Sequence, residues 1–397
     1  EAYFARTIGV TNLRSHFNRM EQALRERVGG DLVDTNAAEA QALLAADAIF
    51  ENLVVQRSRS YARESQLRER GAAASFPERK PPQVAAYSIR KTYGKLLDLV
   101  ETAFKKETPL FTLAIYYPLA WYRGGNAAIA PFDENRQKQV VTLIRTQFLK
   151  RFESSVAAFE LSCLRMLGKL LAFVEVHSAT DGEKRRLERW KLQKAGVLGA
   201  ARARQLELWG TEDEPDDADE DLVTPEMLEA VERLNPEEYD ISEMLSETFL
   251  DLDQLVQFLE EAERFEPRHD DKLQKLIRLL KSKELAGQKV LVFTEYADTA
   301  RYVTRNLREA GIEGVETVDS ATKGNRGAII RRFAPYYNGS SSADLADRGE
   351  RETTVLVSTD VLSEGLNLQD ASRMINYDIH WNPVRLMQRI GRVDRRM

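Results

Sequence analysis

The chain has 397 residues, 43% of them hydrophobic and 30% charged, so it can form more than one packed domain. Its formal net charge of −6 excludes a surface covered with positive charge, although a local basic groove remains compatible with that sum. The single cysteine, Cys163, excludes an internal disulfide and a multi-cysteine metal site, and the four histidines show no ligand spacing. We therefore expect a reducing compartment, the cytoplasm.

The start of the chain indicates a protein outside the membrane. EAYFARTIGV lacks the basic start and apolar core of a signal peptide, and no apolar run approaches the roughly 20 residues that cross a bilayer. Residues 1–75 carry apolar side chains at helical spacing, as in FNRMEQALRERV, and predict a helical segment. Pro77, Pro81 and Pro82 then disfavour helix, which predicts a domain boundary near residue 76.

Two long amphipathic helices are predicted in the middle of the chain. Apolar residues recur alternately four and three positions apart over 152–173 and again over 245–259. This stripe is typical of helices that pack on a partner, so we expect an antiparallel hairpin that projects from the body. A basic run, EKRRLERWKLQK, and an acidic loop at about 211–222 lie between the helices. We expect two solvated segments, with a nucleic-acid contact and an electrostatic gate as the alternatives.

Short β-branched runs alternate with helical segments after residue 271. KVLVFTEY, TTVLVSTD and RMINYDI are too short for buried helices and predict strands. The alternation predicts an α/β fold, in which a parallel sheet is covered by helices on both faces. Ligands of such sheets bind beyond the carboxyl ends of the strands. The hydroxyls, carboxylates and arginines that follow these runs are therefore candidates for binding a phosphate-rich ligand.

Three motifs, in order, carry a family resemblance. VLVFTEYADT, VLVSTDVLSEGLNLQDASRMINYDIHWNP and QRIGRVDR resemble motifs IV, V and VI of superfamily 2 helicases, specifically the RapA-like members of the Swi/Snf branch. The resemblance implies a RecA-like fold with ATP in a cleft between two lobes. It assigns 1–75 to the end of the first lobe and the linker, and 76–150 to the start of the second lobe. Residues 151–270 become a helical insertion, and 271–397 the RecA-like core.

Two elements of the family pattern are missing. The chain contains neither the phosphate-cradling GxxxxGK[ST] nor a DExH-type acid after an apolar strand. The family keeps both in its first lobe, so we expect the C-terminal half of a longer protein, inactive as an ATPase by itself. ATP with Mg²⁺ would be bound mainly by the first lobe. The expected partners are that lobe, double-stranded DNA and a protein bound to the helical insertion.

The resemblance also implies roles for individual residues. Arg392 and Arg395 match the two arginines that face the nucleotide, and their i, i+3 spacing would place both on one side of a helix. Asp394 would pair with one of them. The further nucleotide contacts implied are Gln388, Arg389, Glu364, Gly365 and Asn367. The contacts implied for nucleic-acid phosphates are Thr294, Ser320, Lys323, Ser358 and Thr359.

Three functions stay open on the sequence. The leading hypothesis is the motor half of a translocase on double-stranded DNA. The second is an RNA-directed superfamily 2 helicase, and the third is a non-enzymatic scaffold that keeps the fold and binds nucleic acid or protein. The WNP element and the helical insertion favour the first. Trp381 of WNP is expected to be a packing anchor rather than a stacking platform.

Overall fold

The chain divides into two compact units, Glu1–Phe76 with Arg396–Met397 and Pro77–Arg395. Helices α1 (Ala2–Thr7) and α2 (Leu13–Val28) belong to the first, and the Asn12 side chain accepts a hydrogen bond from the Ser15 amide at the start of α2.

Among the described residues, no helix is long and apolar enough to cross a membrane. A computed structural model describes residues 2–28, 47, 49, 67, 80–104, 111–124, 131–209, 234–319, 322, 326–363 and 367–394.

Helices dominate the first part of the second unit, and we call α3 to α8 the helical layer. The Ser155 hydroxyl accepts from the Ala158 amide at 3.2 Å and so begins α6 immediately after α5 ends. The layer consists of α3 (Ile89–Tyr93), α4 (Lys95–Ala103), α5 (Pro131–Ser154), α6 (Val156–His177), α7 (Asp181–Trp209) and α8 (Ile241–Glu263).

The apolar stripes of α6 and α8 pack against each other. Phe159 of α6 is fully buried, and its ring centroid lies 5.3 Å from Phe148, 5.0 Å from Phe152 and 5.5 Å from Phe258. Aromatic rings bury large apolar areas, and edge-to-face pairs at this separation are favourable. This cluster joins α5, α6 and α8.

Four parallel strands form a sheet in the order β2-β3-β1-β4, which confirms the predicted α/β fold class. The strands are β1 (Val290–Phe293), β2 (Val315–Val318), β3 (Val355–Ser358) and β4 (Arg373–Asn376). The central strands β1 and β3 are buried throughout and match the predicted runs. The sequence did not predict β2, because the edge sequence VETV has only its two ends buried and gives a weak apolar signal.

Helices cover both faces of the sheet. Successive strand side chains point to opposite faces. Val290 and Val292 join the core of the helical layer and α10, whereas Leu291 and Phe293 pack with Ile330 on the other face. The helices of this part are α9 (Asp271–Leu280), α10 (Ala297–Glu309), α11 (Arg326–Phe333), α12 (Ser342–Asp347) and α13 (Pro383–Val393).

The helical layer shares a core with the sheet, whereas the sequence predicted a hairpin projecting from the body. One hydrophobic cluster runs from Phe159 through Val303 of α10 to Val292, and α6 packs on α10. The prediction of a projecting hairpin is therefore wrong. Periodicity showed that both helices need a partner, but it could not show that α10 and the sheet also pack against them.

A buried carboxylate holds a left-handed turn inside the helical layer. Asp251 of α8 is fully buried and accepts from the Thr112 amide at 2.8 Å and the Leu113 amide at 2.7 Å. Leu113 has φ 55, the only positive φ outside glycine among the described residues. Burial raises the pKa of Asp251 to about 7, although the backbone donors oppose that shift.

Candidate nucleotide and nucleic-acid site

The polar residues that follow three separate strands meet at one edge of the sheet. In the parallel register, Phe293 at the end of β1 lies beside Ser358 of β3 and Asn376 of β4. Ligands of open parallel sheets bind beyond such strand ends. We call the residues just after these strands, 294–295, 359–360 and 377–378, the carboxyl edge.

Arg389 ties helix α13 to the carboxyl edge. Its guanidinium is fully buried and donates to Asp360 through Nε at 2.6 Å and Nη2 at 3.0 Å, a forked ion pair. Nη1 donates to the Asp378 carbonyl at 2.9 Å and to Asn376 Oδ1 at 3.3 Å. The Phe293 ring centroid lies 5.2 Å from the guanidinium carbon. These contacts fix the helix against the ends of β1, β3 and β4.

The arginines expected to face a nucleotide therefore differ in their surroundings. The sequence predicts that Arg389 contacts the nucleotide. In the structure its guanidinium instead donates to the Asp360 carboxylate and the Asp378 carbonyl, inside the domain. Arg392 follows within one helical turn and is 7% exposed, and Gln388 is exposed on the same helix. Asn382 caps α13 by accepting from the Val384 amide at 2.9 Å. Arg389 thus orients the helix that carries Arg392.

Asp378 is the centre of a buried polar network at the carboxyl edge. Its carboxylate accepts from Lys272 Nζ at 2.6 Å, Thr294 Oγ1 at 2.5 Å, Ser154 Oγ at 2.7 Å and the Glu295 amide at 3.1 Å. Burial alone would raise the pKa of Asp378, but the Lys272 ammonium and the hydroxyl donors hold it below its ordinary value. Asp378 is therefore a carboxylate at neutral pH.

Sequence reasoning missed both charged members of this network. Asp378 could have been found from its position two residues after the strand RMIN, because ligands of parallel sheets bind beyond the carboxyl ends of the strands. Lys272 gave no signal, because a lysine in the first turn of a helix usually lies in solvent.

Three of the four hydroxyl residues predicted to bind nucleic-acid phosphates are described, and all three are buried with different surroundings. Thr294 donates to Asp378, and Ser358 Oγ lies 2.8 Å from the carbonyls of Val318 and Thr359. Thr359 is 6% exposed, and its hydroxyl has no hydrogen-bond partner among the described residues. A buried hydroxyl without a hydrogen-bond partner is uncommon in folded proteins.

Of the six other predicted site residues, the structure describes only Asn367. Asn367 is exposed, and its carbonyl accepts from Asn338 Nδ2 at 2.9 Å, which links it to the connection between α11 and α12. Predictions for the remaining five stay predictions, because these residues lie outside the described ranges: Ser320, Lys323, Glu364, Gly365 and Arg395.

Trp381 corrects a sequence prediction. Its side chain is 70% exposed, so the packing-anchor prediction is wrong, and Lys150 Nζ lies 5.5 Å from its ring centroid. Ile379, Val384 and Met387 nearby along the chain are also largely exposed. Asp378 and Arg389, close to these residues in sequence, are buried instead.

Comparison with known proteins identifies the family of this region. Residues 271–397 match the family model described as the helicase conserved C-terminal domain. This part of the chain is a helicase C-terminal domain. The parallel sheet, the carboxyl edge and α13, which carries Arg389 and Arg392 and which we call the arginine helix, all lie inside the matched residues.

Three curated relatives support this family. "Uncharacterized ATP-dependent helicase YqhH" of Bacillus subtilis is 37% identical over 107 residues, 27% of this chain and 16% of its own length. "RNA polymerase-associated protein RapA" of Vibrio parahaemolyticus is 32% identical over 117 residues, 30% of this chain and 11% of its own. "Probable ATP-dependent RNA helicase MJ0669" of Methanocaldococcus jannaschii is 28% identical over 127 residues, 32% and 30% of the two chains. The predicted resemblance to RapA-like helicases is confirmed.

Proposed function

We propose that the chain supplies the second RecA-like wall of an ATP-dependent motor that moves on double-stranded DNA. The observation that carries this proposal is the fixed arginine helix. Arg389 holds α13 against Asp360 and the ends of three strands, and Arg392 follows within one turn. Relatives named as ATP-dependent helicases support the use of ATP.

The arginines would act on the charge that develops when a phosphoryl group is transferred. Transfer from ATP spreads negative charge over the γ-phosphoryl oxygens, and an arginine at that point is worth about 10³–10⁵ in rate. Arg392 and Arg395 would donate forked N–H groups to those oxygens. The nucleotide would further contact Gln388, Glu364, Gly365 and Asn367.

Mg²⁺ and most of the triphosphate would be held by a lobe that carries a P-loop, since GxxxxGK[ST] is missing from these 397 residues. Within the described ranges, no group of three or more acidic, histidine or cysteine side chains is placed to hold a metal ion. The arginines of α13 thus fit one wall of a nucleotide site, to which they bring cationic donors.

The DNA track would use hydroxyl groups and one lysine. Thr359, whose hydroxyl has no partner among the described residues, and Ser320 and Lys323 would contact phosphates, which positions a duplex without reading its bases. Thr294 and Ser358 would hold the strand ends that present these contacts. We also propose a protein partner on the helical layer and a cytoplasmic location.

The test is ATP turnover by the protein translated from the complete reading frame that contains this chain, with and without double-stranded DNA. Arg392→Ala is expected to lower kcat by about 10³-fold or more while DNA binding is retained. The matched control is Arg385→Ala, an exposed arginine on the same helix, which should leave kcat unchanged. Unchanged turnover in Arg392→Ala would contradict the assignment.

RNA is the second candidate substrate, because two relatives from Methanocaldococcus jannaschii are named RNA helicases. The same assay separates the two when double-stranded DNA, single-stranded RNA and double-stranded RNA are compared as stimulators. Stimulation by RNA alone would favour the RNA-directed helicase. Binding of nucleic acid without any ATP turnover would favour the scaffold.

A further inference from the structure

We propose that Asp378 and Lys272 are positioning residues that lock the junction between α5 and α6 onto the strand end that carries the arginine helix. The inference rests on the proposed function, because its main consequence is for ATP turnover. The two side chains form an ion pair at 2.6 Å and are 8% and 9% exposed.

Lys272 closes the end of α5. Its Nζ lies 3.1 Å from the Glu153 carbonyl, 3.0 Å from the Ser154 carbonyl and 2.6 Å from Asp378 Oδ1. An ammonium group has three donors, so all of them are used. The last carbonyls of a helix lack partners within it and carry partial negative charge, which a cation stabilises. The lysine therefore fastens the α5 terminus to Asp378.

Asp378 connects that terminus to two strands and to α13. Oδ2 accepts from Ser154 Oγ at 2.7 Å and from Thr294 Oγ1 at 2.5 Å, so it bridges α5 and the end of β1. The carbonyl of the same residue accepts from Arg389 Nη1 at 2.9 Å. One residue thus holds the helical layer through its side chain and the arginine helix through its backbone.

The geometry of this network matters more than its contribution to stability. A buried ion pair adds little net stability compared with apolar side chains of the same volume. It does require its partners in defined places, because a buried charge that loses its hydrogen bonds is costly. A shift of the α5–α6 junction would move the Asp378 backbone and with it Arg389. The helical layer and the arginine helix are therefore expected to respond as one unit.

The experiment measures kcat and KM for ATP in the protein translated from the complete reading frame. Asp378→Asn keeps the side-chain shape but removes the charge, and it should lower kcat by about 10- to 100-fold with KM nearly unchanged, because a misplaced catalytic group lowers the rate of the chemical step. Ser154→Ala removes one donor to the same carboxylate and should lower kcat less.

The matched control is Asp298→Asn. It breaks the Arg151–Asp298 ion pair at 3.1 Å, in which Asp298 is buried and which joins α5 to α10. Unlike Asp378, neither residue of this pair is a hydrogen-bond partner of Arg389. The kcat of this variant should stay at the unmodified value. If buried ion pairs only stabilise the fold, Asp378→Asn and Asp298→Asn should lower kcat equally.

Hydrogen exchange on this chain gives a readout that needs no turnover. In Asp378→Asn, the amides of α13 and of Glu295 should exchange faster, whereas in Asp298→Asn those of α13 should not change. If Asp378→Asn does not fold, Ser154→Ala carries the same comparison.

The outcomes separate this inference from the proposed function. The inference is overturned if Asp378→Asn keeps its kcat in a protein that Arg392→Ala inactivates, or if α13 exchange is unchanged. If the unmodified protein does not hydrolyse ATP, the proposed function fails, and the exchange of α13 still decides whether Asp378 positions that helix.

Discussion

Asp251 in the helical layer and Asp378 at the carboxyl edge are both buried carboxylates, yet their pKa values move in opposite directions. Asp251 receives backbone amides and the Thr112 hydroxyl, and burial raises its pKa to about 7. Burial would also raise the pKa of Asp378, but Lys272 and two hydroxyl donors outweigh that effect and lower the pKa. The difference shows that a full positive charge, rather than burial, decides which carboxylate stays ionised.

The two regions are also held together differently. The helical layer depends on apolar packing around Phe159. The carboxyl edge depends on charges whose positions are defined by Lys272, Asp378 and Arg389. Defined charges suit a surface that must present donors to a ligand in one geometry.

Lys272→Met should give the largest loss of stability. It leaves the Asp378 carboxylate buried without its cation, which typically costs about 3–5 kcal/mol in the free energy of unfolding. Urea unfolding of the chain measures this. Adding Asp378→Asn to Lys272→Met should restore part of the loss, because the two side chains interact directly. Strictly additive losses would contradict a coupled pair.

Asp251→Asn should have a smaller effect with a distinctive pH dependence. The folded chain binds a proton at Asp251 up to about pH 7, whereas the ordinary value is 3.8, so the free energy of unfolding falls as pH rises between these values. The slope is at most about 1.4 kcal/mol per pH unit. The variant should lose this slope and about 1–3 kcal/mol, because one backbone amide loses its acceptor.

Urea unfolding at pH 5 and pH 8 measures that slope, with the exposed Asp347→Asn as control. An unchanged slope in Asp251→Asn would show that another group titrates.

The pH dependence of the free energy of unfolding has the opposite sign for Asp378, whose lowered pKa stabilises the fold above the ordinary value of 3.8. That contribution should be lost only as the pH falls below about 4, and Asp378→Asn should remove it.

Asp240→Ala should have the smallest effect of the three. Asp240 begins α8, the helix that carries Asp251, and accepts from the Glu243 amide at 3.2 Å near solvent. Loss of such a cap costs about 1 kcal/mol. Asp240→Asn keeps an acceptor and should unfold like the unmodified chain. A loss as large as that of Lys272→Met would contradict the distinction between capping and buried charge.

Local sequence was enough to predict several parts of the fold. VLVF and VLVS became the central strands, and the stripes over 152–173 and 245–259 became packed helices. These features follow from hydrophobic periodicity, which acts over neighbouring residues. The edge strand VETV escaped prediction because half of its side chains are only partly buried.

The sequence by itself determined the type of each element, the order of the helicase motifs and the residues that could bind phosphate. Only the tertiary structure decided which of those residues are available. It gave Thr294 and Arg389 internal partners, buried the Thr359 hydroxyl without one, and exposed Trp381. The physical reason is that Lys272, Ser154 and Asp378 are far apart in sequence, and a carboxylate buried at one strand end requires a cation and hydrogen-bond donors beside it.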